Sequence, residues 1–287
     1  MSGAALPHRP RGAALMLVLW LLALLAALVG AFAVTARIEH LQGRVLLDGV
    51  VAGEAARAGM EYALQRIDDP DLRLRWRPDG REYAWRFGSA DVRVRIVDES
   101  GKVDLNQAGS ELLAALLQGA GASQPQAAAL AAAILDWRDA DDLSQPAGGA
   151  EDRDYAAADL PYGAKDAPFE SVAELEQVLG MTPELYARLA PSLTVFGSAS
   201  PRREFAPPAV LAAMGLDPRQ VQAERESPQL AGRVPGSGTY SIESRATLGS
   251  GRSAVLHVVV RSGGQGVAGS TASAYTSLRW QEGQATP

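Results

Sequence analysis

An uninterrupted apolar segment near the amino terminus is the feature that most limits what this chain can fold into. Residues 12–36 carry no charged side chain, and Arg11 and Arg37 stand on either side of them. A secretory signal has an apolar core of roughly 7–15 residues, which is shorter than this segment. A helix of residues 13–36 is roughly 36 Å long at about 1.5 Å per residue, enough to cross a bilayer. The segment therefore predicts a transmembrane helix, with a cleaved secretory signal as the alternative.

Charged residues on both sides of this segment predict its orientation. His8, Arg9 and Arg11 precede it, whereas Arg37 behind it lies close to the acidic Glu39. An excess of basic residues is typical of the cytoplasmic end of a membrane helix. We therefore predict a single-pass protein with a cytoplasmic amino terminus and its bulk domain on the other side of the membrane.

An amphipathic helix is predicted to continue the membrane segment over residues 37–69. Small and apolar residues recur there at spacings of three or four, which is one face of an α-helix. They are Ile38, Leu41, Val45, Gly49, Ala52, Ala56, Gly59, Ala63 and Ile67. Pro70 ends the pattern because proline cannot continue the helical hydrogen bonds. Such a narrow, small-residue stripe should pack closely against a sheet, and an ordinary linker helix is the alternative.

Alternation of apolar and charged residues predicts strands before residue 100 and after residue 236. The segments are "LRLRW", "REYAWRF" and "ADVRVRIVDE" in the first region, and "TYSIESRATL", "SAVLHVVVRS" and "AYTSLRWQE" in the second. We expect one antiparallel sheet that is interrupted by the residues in between. Val92, Val94 and Ile96 should face the long helix. His257 has no partner histidine nearby and should be an outward-facing strand residue without a catalytic role.

Residues 103–190 have a helical pattern. Asn106 and Ser123 are predicted to cap two helices, and Ser171 and Thr182 two more, the first of these ending near Gly180. The first two helices form one unit and the last two form another, and each unit resembles a helix-hairpin-helix or SAM-like domain. That resemblance makes DNA binding an alternative function for a membrane-anchored chain.

The charge of this region argues against nucleic acid. Its basic residues are Arg138, Arg153, Lys165 and Arg188, against more than a dozen carboxylates, and the whole chain has a net charge of -6. DNA affinity depends on clustered lysine and arginine that neutralise phosphates. We therefore keep the prediction of a helix-hairpin-helix-like or SAM-like fold for this region, but we do not expect it to bind DNA.

The amino-terminal region resembles the type IV pilins and pseudopilins. The resemblance rests on the short basic leader, Gly12, the long apolar helix and its amphipathic continuation. It implies that a prepilin peptidase cuts between Gly12 and Ala13 and that the new amino terminus at Ala13 is methylated. Most members have glutamate as the fifth residue after the cut, where this chain has Leu17. A buried carboxylate needs a partner, so a subunit without it fits the end of a filament.

The order of motifs further along the chain resembles one family of pseudopilins. The motifs are "KVDLN", "ILDWRDADD", "GAEDRDY", "PFESVAEL" and "LGMTPELYARLAP". They resemble the K-type minor pseudopilin of the type II secretion system, general secretion pathway protein K. The resemblance implies a non-enzymatic subunit at the tip of the pseudopilus that initiates or caps its assembly for export across the outer membrane. Its implied partners are the I-type and J-type minor pseudopilins, the prepilin peptidase and the inner-membrane assembly platform.

The same resemblance implies an α+β fold, with a pilin-like long helix packed on an antiparallel sheet and a large all-α insert. We expect a leader at residues 1–12, a transmembrane helix at 13–36 and its amphipathic continuation at 37–69. The α/β domain should comprise residues 70–100 and 200–287, and the insert residues 101–199.

Residues 136–155 hold the densest cluster of carboxylates in the chain. They are Asp136, Asp139, Asp141, Asp142, Glu151, Asp152 and Asp154. Carboxylates around a flexible Pro-Gly loop suit Ca²⁺, which takes six to eight oxygen ligands, better than Zn²⁺. A solvated acidic loop is equally compatible with the spacing, and a glycosidase-like carboxylate pair is the enzymatic competitor.

The K-type resemblance implies calcium in this loop. The ligands expected from it are Asp139, Asp141, Asp142, Glu151 and Asp152. No catalytic residue is expected.

Overall fold

The computed structural model describes residues 13–227, 234–263 and 275–284. Helix α1 spans Ala13–Ile67, a continuous run of 55 residues. Its amino-terminal part is long and apolar enough to cross a membrane, with a mean hydropathy of 2.8 in its most apolar window. The predicted continuous helix is confirmed, and it ends shortly before Pro70. The predicted cleavage residue Gly12 lies outside the described residues.

In the described part of the chain, seven strands follow α1. In chain order they are β1 Asp79–Phe87, β2 Ala90–Asp98, β3 Val103–Asp104, β4 Leu193–Thr194, β5 Thr239–Thr247, β6 Ser253–Ser262 and β7 Tyr275–Gln284. β3 and β4 form a short parallel pair, and the other five form one antiparallel sheet in the order β1-β2-β5-β6-β7. β2 pairs directly with β5 although the helical insert separates them in sequence. The predicted interrupted sheet is confirmed.

The carboxyl-terminal half of α1 packs on this sheet. Val92, Val94 and Ile96 of β2 face the helix and are buried, as predicted. The helix side of the contact consists of Ala52, Ala55, Ala56, Met60, Ala63 and Ile67. Alanine and glycine let the helix axis approach the sheet closely, so the small-residue stripe determines this packing.

The amino-terminal half of the stripe behaves differently. Ile38, Leu41 and Val45 are each 49% exposed, so the prediction that the whole stripe packs on the sheet is wrong for them. The sheet ends near Gly49, where Arg252 in the turn after β5 approaches the helix. A single sheet is shorter than this helix, and the apolar stripe therefore extends beyond it.

Gly59 lies where the helix and the sheet are closest. A Cβ atom added there would lie 2.4 Å from Ser244 Oγ and 2.6 Å from Val92 Cγ1. We expect Gly59→Ala to lower the free energy of unfolding by about 1–3 kcal/mol through overpacking. The matched control is Gly53→Ala in the same helix, where no atom lies within 4 Å. It should instead raise that free energy by about 0.5–1 kcal/mol. Denaturant unfolding of the full chain in detergent measures both, and equal effects would contradict the close-packing argument.

The insert between β2 and β5 is mostly helical. Its α-helices are α2 Ser110–Gly119, α3 Gln124–Arg138, α4 Asp152–Ala157 and α5 Pro183–Leu189, followed by α6 Pro208–Ala213 and α7 Pro218–Glu226. Short 3₁₀ helices lie at Glu99–Gly101, Val172–Gln177 and Ala190–Ser192. These helices share a core of their own, separate from the core between α1 and the sheet.

The structure contradicts two of the four predicted helix caps. Gly109, not Asn106, precedes α2, because Asn106 instead pairs through its side-chain amide with both backbone groups of Phe169, at 2.7 and 2.9 Å. Ser171 precedes only the short 3₁₀ helix, not an α-helix that reaches Gly180. Ser123 and Thr182 do precede α3 and α5, as predicted.

The segment "LRLRW", residues 72–76, is not a strand. The backbone N–H of Leu74 bonds to the carbonyl oxygen of Asp71 at 2.9 Å, and the Asp71 side chain accepts the N–H of Arg73. These local turn bonds compete with strand pairing. Trp76 then stacks on Tyr83 of β1, with ring centroids 4.5 Å apart.

Two buried carboxylates attach the insert to the sheet. Glu99 accepts hydrogen bonds from Lys102 Nζ at 2.5 Å and from the hydroxyls of Thr194 and Ser241. Asp98 accepts the backbone N–H of Ser237 at 2.7 Å. The bonds connect the start and the end of the insert to β2 and β5, which fixes the insert against one end of the sheet.

Candidate functional site

The carboxylate-rich loop predicted as a calcium site connects α3 to α4. It folds back onto the last turn of α3, where Asp136 is fully buried and its Oδ1 accepts the backbone N–H of Gln145 at 3.1 Å. Gly149 lies so close that an added Cβ atom would be 1.8 Å from Asp136 Oδ2. The glycine thus permits the tight return of the loop, and α4 begins directly after Glu151.

Two of the predicted ligands have buried oxygens without a partner. Asp139 Oδ1 and Glu151 Oε1 accept no hydrogen bond from any described residue. A buried polar atom without a partner costs free energy, and a bound cation is one way to remove that cost.

The electrostatics of Glu151 show how closely the carboxylates approach one another. Burial, together with repulsion by four nearby aspartates, raises the pKa of Glu151 to about 7. The four are Asp136, Asp139, Asp142 and Asp166. Several negative charges therefore lie around one buried carboxyl group, an arrangement that a divalent cation would stabilise.

Asp166 is a candidate ligand that sequence reasoning missed. Burial, and then the charges of Asp152, Asp142 and Asp139, raise its pKa. Its segment packs against the start of α4, because a Cβ atom added to Gly163 would lie 1.7 Å from Asp152 Oδ1. Asp166 lies outside the acidic run in sequence, so only the tertiary fold identifies it.

Asp141 is exposed, like Asp142 and Asp152, and its Oδ1 accepts the backbone N–H of Leu143 at 2.9 Å. The fold brings Asp139, Asp142, Glu151 and Asp152 into one electrostatic cluster, and the charge of Asp141 acts on Asp136 beside it.

The nearby arginines form ion pairs with none of the predicted ligands. Arg138 donates to the backbone oxygens of Leu105 and Ala108, on the side of α2. Arg153 is largely exposed, donates to Ser144 Oγ at 3.0 Å and lies 3.7 Å from Asp154. The cluster therefore keeps an excess of negative charge.

The side chains of the cluster have the oxygen donors that a hard cation needs, but they are not arranged around a single point. Within the described residues, no three His, Cys, Asp or Glu side chains already converge at the spacing of a metal site. The donors are nevertheless all oxygens, two of them buried and unpaired, and the chain has no cysteine. Oxygen-only donors suit Ca²⁺, and Asp139, Asp142, Glu151, Asp152 and Asp166 are the residues that would hold it.

A cluster of aromatic side chains packs against the carboxylate-rich loop. Tyr155 of α4 is fully buried, and its hydroxyl accepts the backbone N–H of Leu179 at 3.1 Å. Trp137 lies between Tyr155 and Phe169, with ring centroids 5.9 and 6.2 Å away. The loop thus rests on the insert core, so its conformation and the stability of the insert should depend on each other.

The predicted processing residues lie at the other end of the molecule. Ala13 is the first residue of α1, and Leu17 lies one turn further along with 70% of its surface exposed. Among the residues that the structure describes, none covers Leu17, which agrees with a position inside a membrane.

Comparisons with known proteins bear on the middle of the chain and on its fold. Residues 94–198 match the family model described as type II secretion system (T2SS), protein K. Type II secretion system protein K of Klebsiella pneumoniae is 33% identical over 205 residues, which cover 64% of this chain and 62% of that protein. The protein of the same description from Pectobacterium carotovorum subsp. carotovorum is 30% identical over 208 residues, again 62% of its length. The matches thus span less than two thirds of these relatives.

A solved structure supports the fold. It is the crystal structure of the GspK-GspI-GspJ complex from the enterotoxigenic Escherichia coli type 2 secretion system. One of its chains superposes on this chain with a TM-score of 0.55 and is 17% identical to it. The superposition covers 87% of this chain and 99% of the Escherichia coli chain. The predicted α+β fold, with its long amino-terminal helix, antiparallel sheet and additional helices, is confirmed. Residues 94–198 therefore resemble a domain of type II secretion system protein K, and the family resemblance noted in the sequence motifs is confirmed for that part of the chain.

Proposed function

We propose that this chain is a minor pseudopilin at the tip of the type II secretion pseudopilus, where it initiates or caps assembly for protein export across the outer membrane. The observation that carries the proposal is the division of α1 into two parts. The sheet covers its carboxyl-terminal part, residues 52–67, whereas residues 14–51 are almost entirely exposed and largely apolar. A helix of this kind suits storage in a membrane followed by packing among other helices.

The position of the insert supports a capping role. The insert is fixed to the end of the sheet where Glu99 and Lys102 lie, and α1 approaches the opposite end of the sheet near Gly49. Bulk at the end furthest from the membrane would block addition of another subunit there. Leu17, which lacks the usual carboxylate, would remove an electrostatic link to such a subunit.

The proposed partners are the I-type and J-type minor pseudopilins. The superposed Escherichia coli structure is a complex of GspK with GspI and GspJ, and we transfer this assembly to the present chain as part of the proposal. The exposed stripe of Ile38, Leu41 and Val45 offers an apolar contact surface for their helices. The inner-membrane assembly platform and the prepilin peptidase complete the proposed set.

We also propose that Ca²⁺ binds the carboxylate cluster in a structural role. The support is the pair of unpaired buried oxygens on Asp139 and Glu151 and the surrounding negative charge. The ion would fasten the loop to α3 and α4, and it would not take part in catalysis.

The mature amino terminus tests the proposed pathway. In cells with the prepilin peptidase, mass spectrometry should find a chain that starts at methylated Ala13 and lies in the inner membrane with its domain in the periplasm. Gly12→Leu should leave the leader attached because cleavage follows that glycine in the family. Gly3→Leu, in the same leader, should be processed normally. A mature chain that starts near residue 37 would contradict the proposal, since it would mean a discarded signal.

A further inference from the structure

The sheet face opposite α1 concentrates arginine in a chain of net charge -6. Side chains that face one another across antiparallel strands lie on the same face, so the strand register identifies them. The basic residues of this outer face are Arg86, Arg93, Arg95, Arg245, His257, Arg261 and Arg279. Glu82, Asp91 and Glu243 are the carboxylates among them. Six arginines against three carboxylates leave a positive excess.

Each of these carboxylates is paired with a different arginine of the same face. Arg93 Nη1 lies 2.9 Å from Glu82 Oε1, Arg86 Nη2 lies 2.9 Å from Asp91 Oδ1, and Arg245 Nη2 lies 3.6 Å from Glu243 Oε1. Arg95 and Arg279 are exposed and make no ion pair with any described residue. These two guanidinium groups are therefore available to a ligand.

A groove connects Arg95 with Arg279. One cavity of about 370 Å³ is bordered by Arg95 and His257, and a second of about 490 Å³ lies between the sheet and the insert. Both are lined by Val259, Arg279 and Gln281, so the two cavities adjoin one another, and we call them together the groove. Its floor includes apolar side chains, and clefts between structural units are common binding sites.

The spacing of the two arginines selects the kind of ligand. In the register, Arg95 faces Glu243, then His257, then Gln281, and Arg279 lies two residues before Gln281 on β7. Three strand spacings of about 4.8 Å and one step of about 7 Å along a strand place the two Cα atoms roughly 16 Å apart. Two side chains that start this far apart can each pair with a separate charge of one extended ligand. Residues four apart in an extended peptide are roughly 13 Å apart at about 3.3 Å each, and the flexible arginine and glutamate side chains span the remaining distance.

We propose that this groove binds an extended acidic segment of a partner polypeptide, in which two carboxylates about four residues apart pair with Arg95 and Arg279. Apolar side chains between the carboxylates would lie on the groove floor at Val259. The positive face complements the negative charge of such a segment and would also accelerate its encounter. The inference does not depend on the proposed tip role.

Fluorescence anisotropy with two labelled peptides tests the proposal on the full chain in a non-ionic detergent. The peptides GEVSVEG and GVSEEVG have the same composition, but only the first has its glutamates four residues apart. The first should bind at least about ten-fold more tightly, because only it reaches both arginines. Arg95→Glu combined with Arg279→Glu should weaken its binding by at least about ten-fold.

A charge-matched variant separates site binding from general attraction. Arg73→Glu combined with Arg219→Glu changes the net charge equally at exposed positions outside the groove. It should leave binding of GEVSVEG within about two-fold of the unchanged chain. No binding, equal binding of the two peptides, or equal loss in both double variants would overturn the proposal. A dimer of the full chain that is lost only in the groove variant would assign the face to a second copy and would overturn it as well.

Discussion

Calcium is expected to raise the midpoint of thermal unfolding of the full chain by about 5–10 °C relative to a sample with chelator. An ion that binds only the folded state stabilises it by about 2.7 kcal/mol when its concentration is roughly 100 times the dissociation constant. For domains of 150–250 residues, each kcal/mol moves the midpoint by about 2–4 °C. The physical basis is the carboxylate cluster, where Asp139 and Glu151 each have a buried oxygen without a hydrogen bond. Intrinsic tryptophan fluorescence measures the transition, because Trp137 lies beside the loop.

Two variants make this calcium experiment specific. Glu151→Gln should remove most of the calcium-dependent shift, because an amide has lost the negative charge that a hard cation needs. Glu111→Gln, at an exposed position of α2 in the same insert, should keep the full shift. Mg²⁺ should give a smaller shift than Ca²⁺ because it gives up its bound water reluctantly. A midpoint that does not respond to chelator, or the same response in both variants, would contradict the proposed site.

The long helix and the sheet could be predicted because their signals are periodic and local. The apolar run and the small-residue stripe lead to α1, and the alternation around Val92, Val94 and Ile96 leads to β2. The sequence pattern also correctly places strands of this sheet both before and after the helical insert. It could not show where the stripe loses its sheet partner, because the length of the sheet relative to the helix is a property of the assembled fold.

The errors concern residues whose partners are distant in the chain. Asn106 looks like a helix cap in sequence, but Phe169 satisfies its amide from the other half of the insert. Asp166 joins the carboxylate cluster only because Gly163 lets its segment approach Asp152. Contacts between residues so distant in the chain produce no periodic pattern in the sequence. The chemistry of the site could therefore be predicted from composition, whereas the full set of contributing residues could not.

The two parts of α1 link the fold to the proposed assembly. On the carboxyl-terminal part, Ala52, Ala56 and Ala63 are covered by the sheet. On the amino-terminal part, Ile38 and Val45 continue the same face without a partner among the described residues. An uncovered apolar stripe that continues a buried one is suited to contact a neighbouring subunit. The stripe lies between the predicted membrane span and the sheet, where helices of a filament would run side by side.

Val45→Arg is therefore expected to disrupt the proposed complex with the I-type and J-type minor pseudopilins. Val45 lies about 13 Å beyond the membrane segment, since nine residues separate it from residue 36. An arginine buried between apolar helix faces has no partner for its charge, so association should weaken at least about ten-fold. Because Val45 is 49% exposed in the single chain, its own fold should be retained. Co-expression followed by size-exclusion chromatography in detergent measures the loss of the complex.

Leu74→Arg is the matched control for this experiment. Leu74 is also 49% exposed and receives the same change in size and charge, but it lies in the turn after α1, far from the stripe. The complex should survive this substitution, and both variants should unfold at the same midpoint as the unchanged chain. An intact complex with Val45→Arg would show that the stripe does not mediate assembly. Loss of the complex with both variants would instead attribute the effect to added charge, and the contact would then have to be sought on the sheet or the insert.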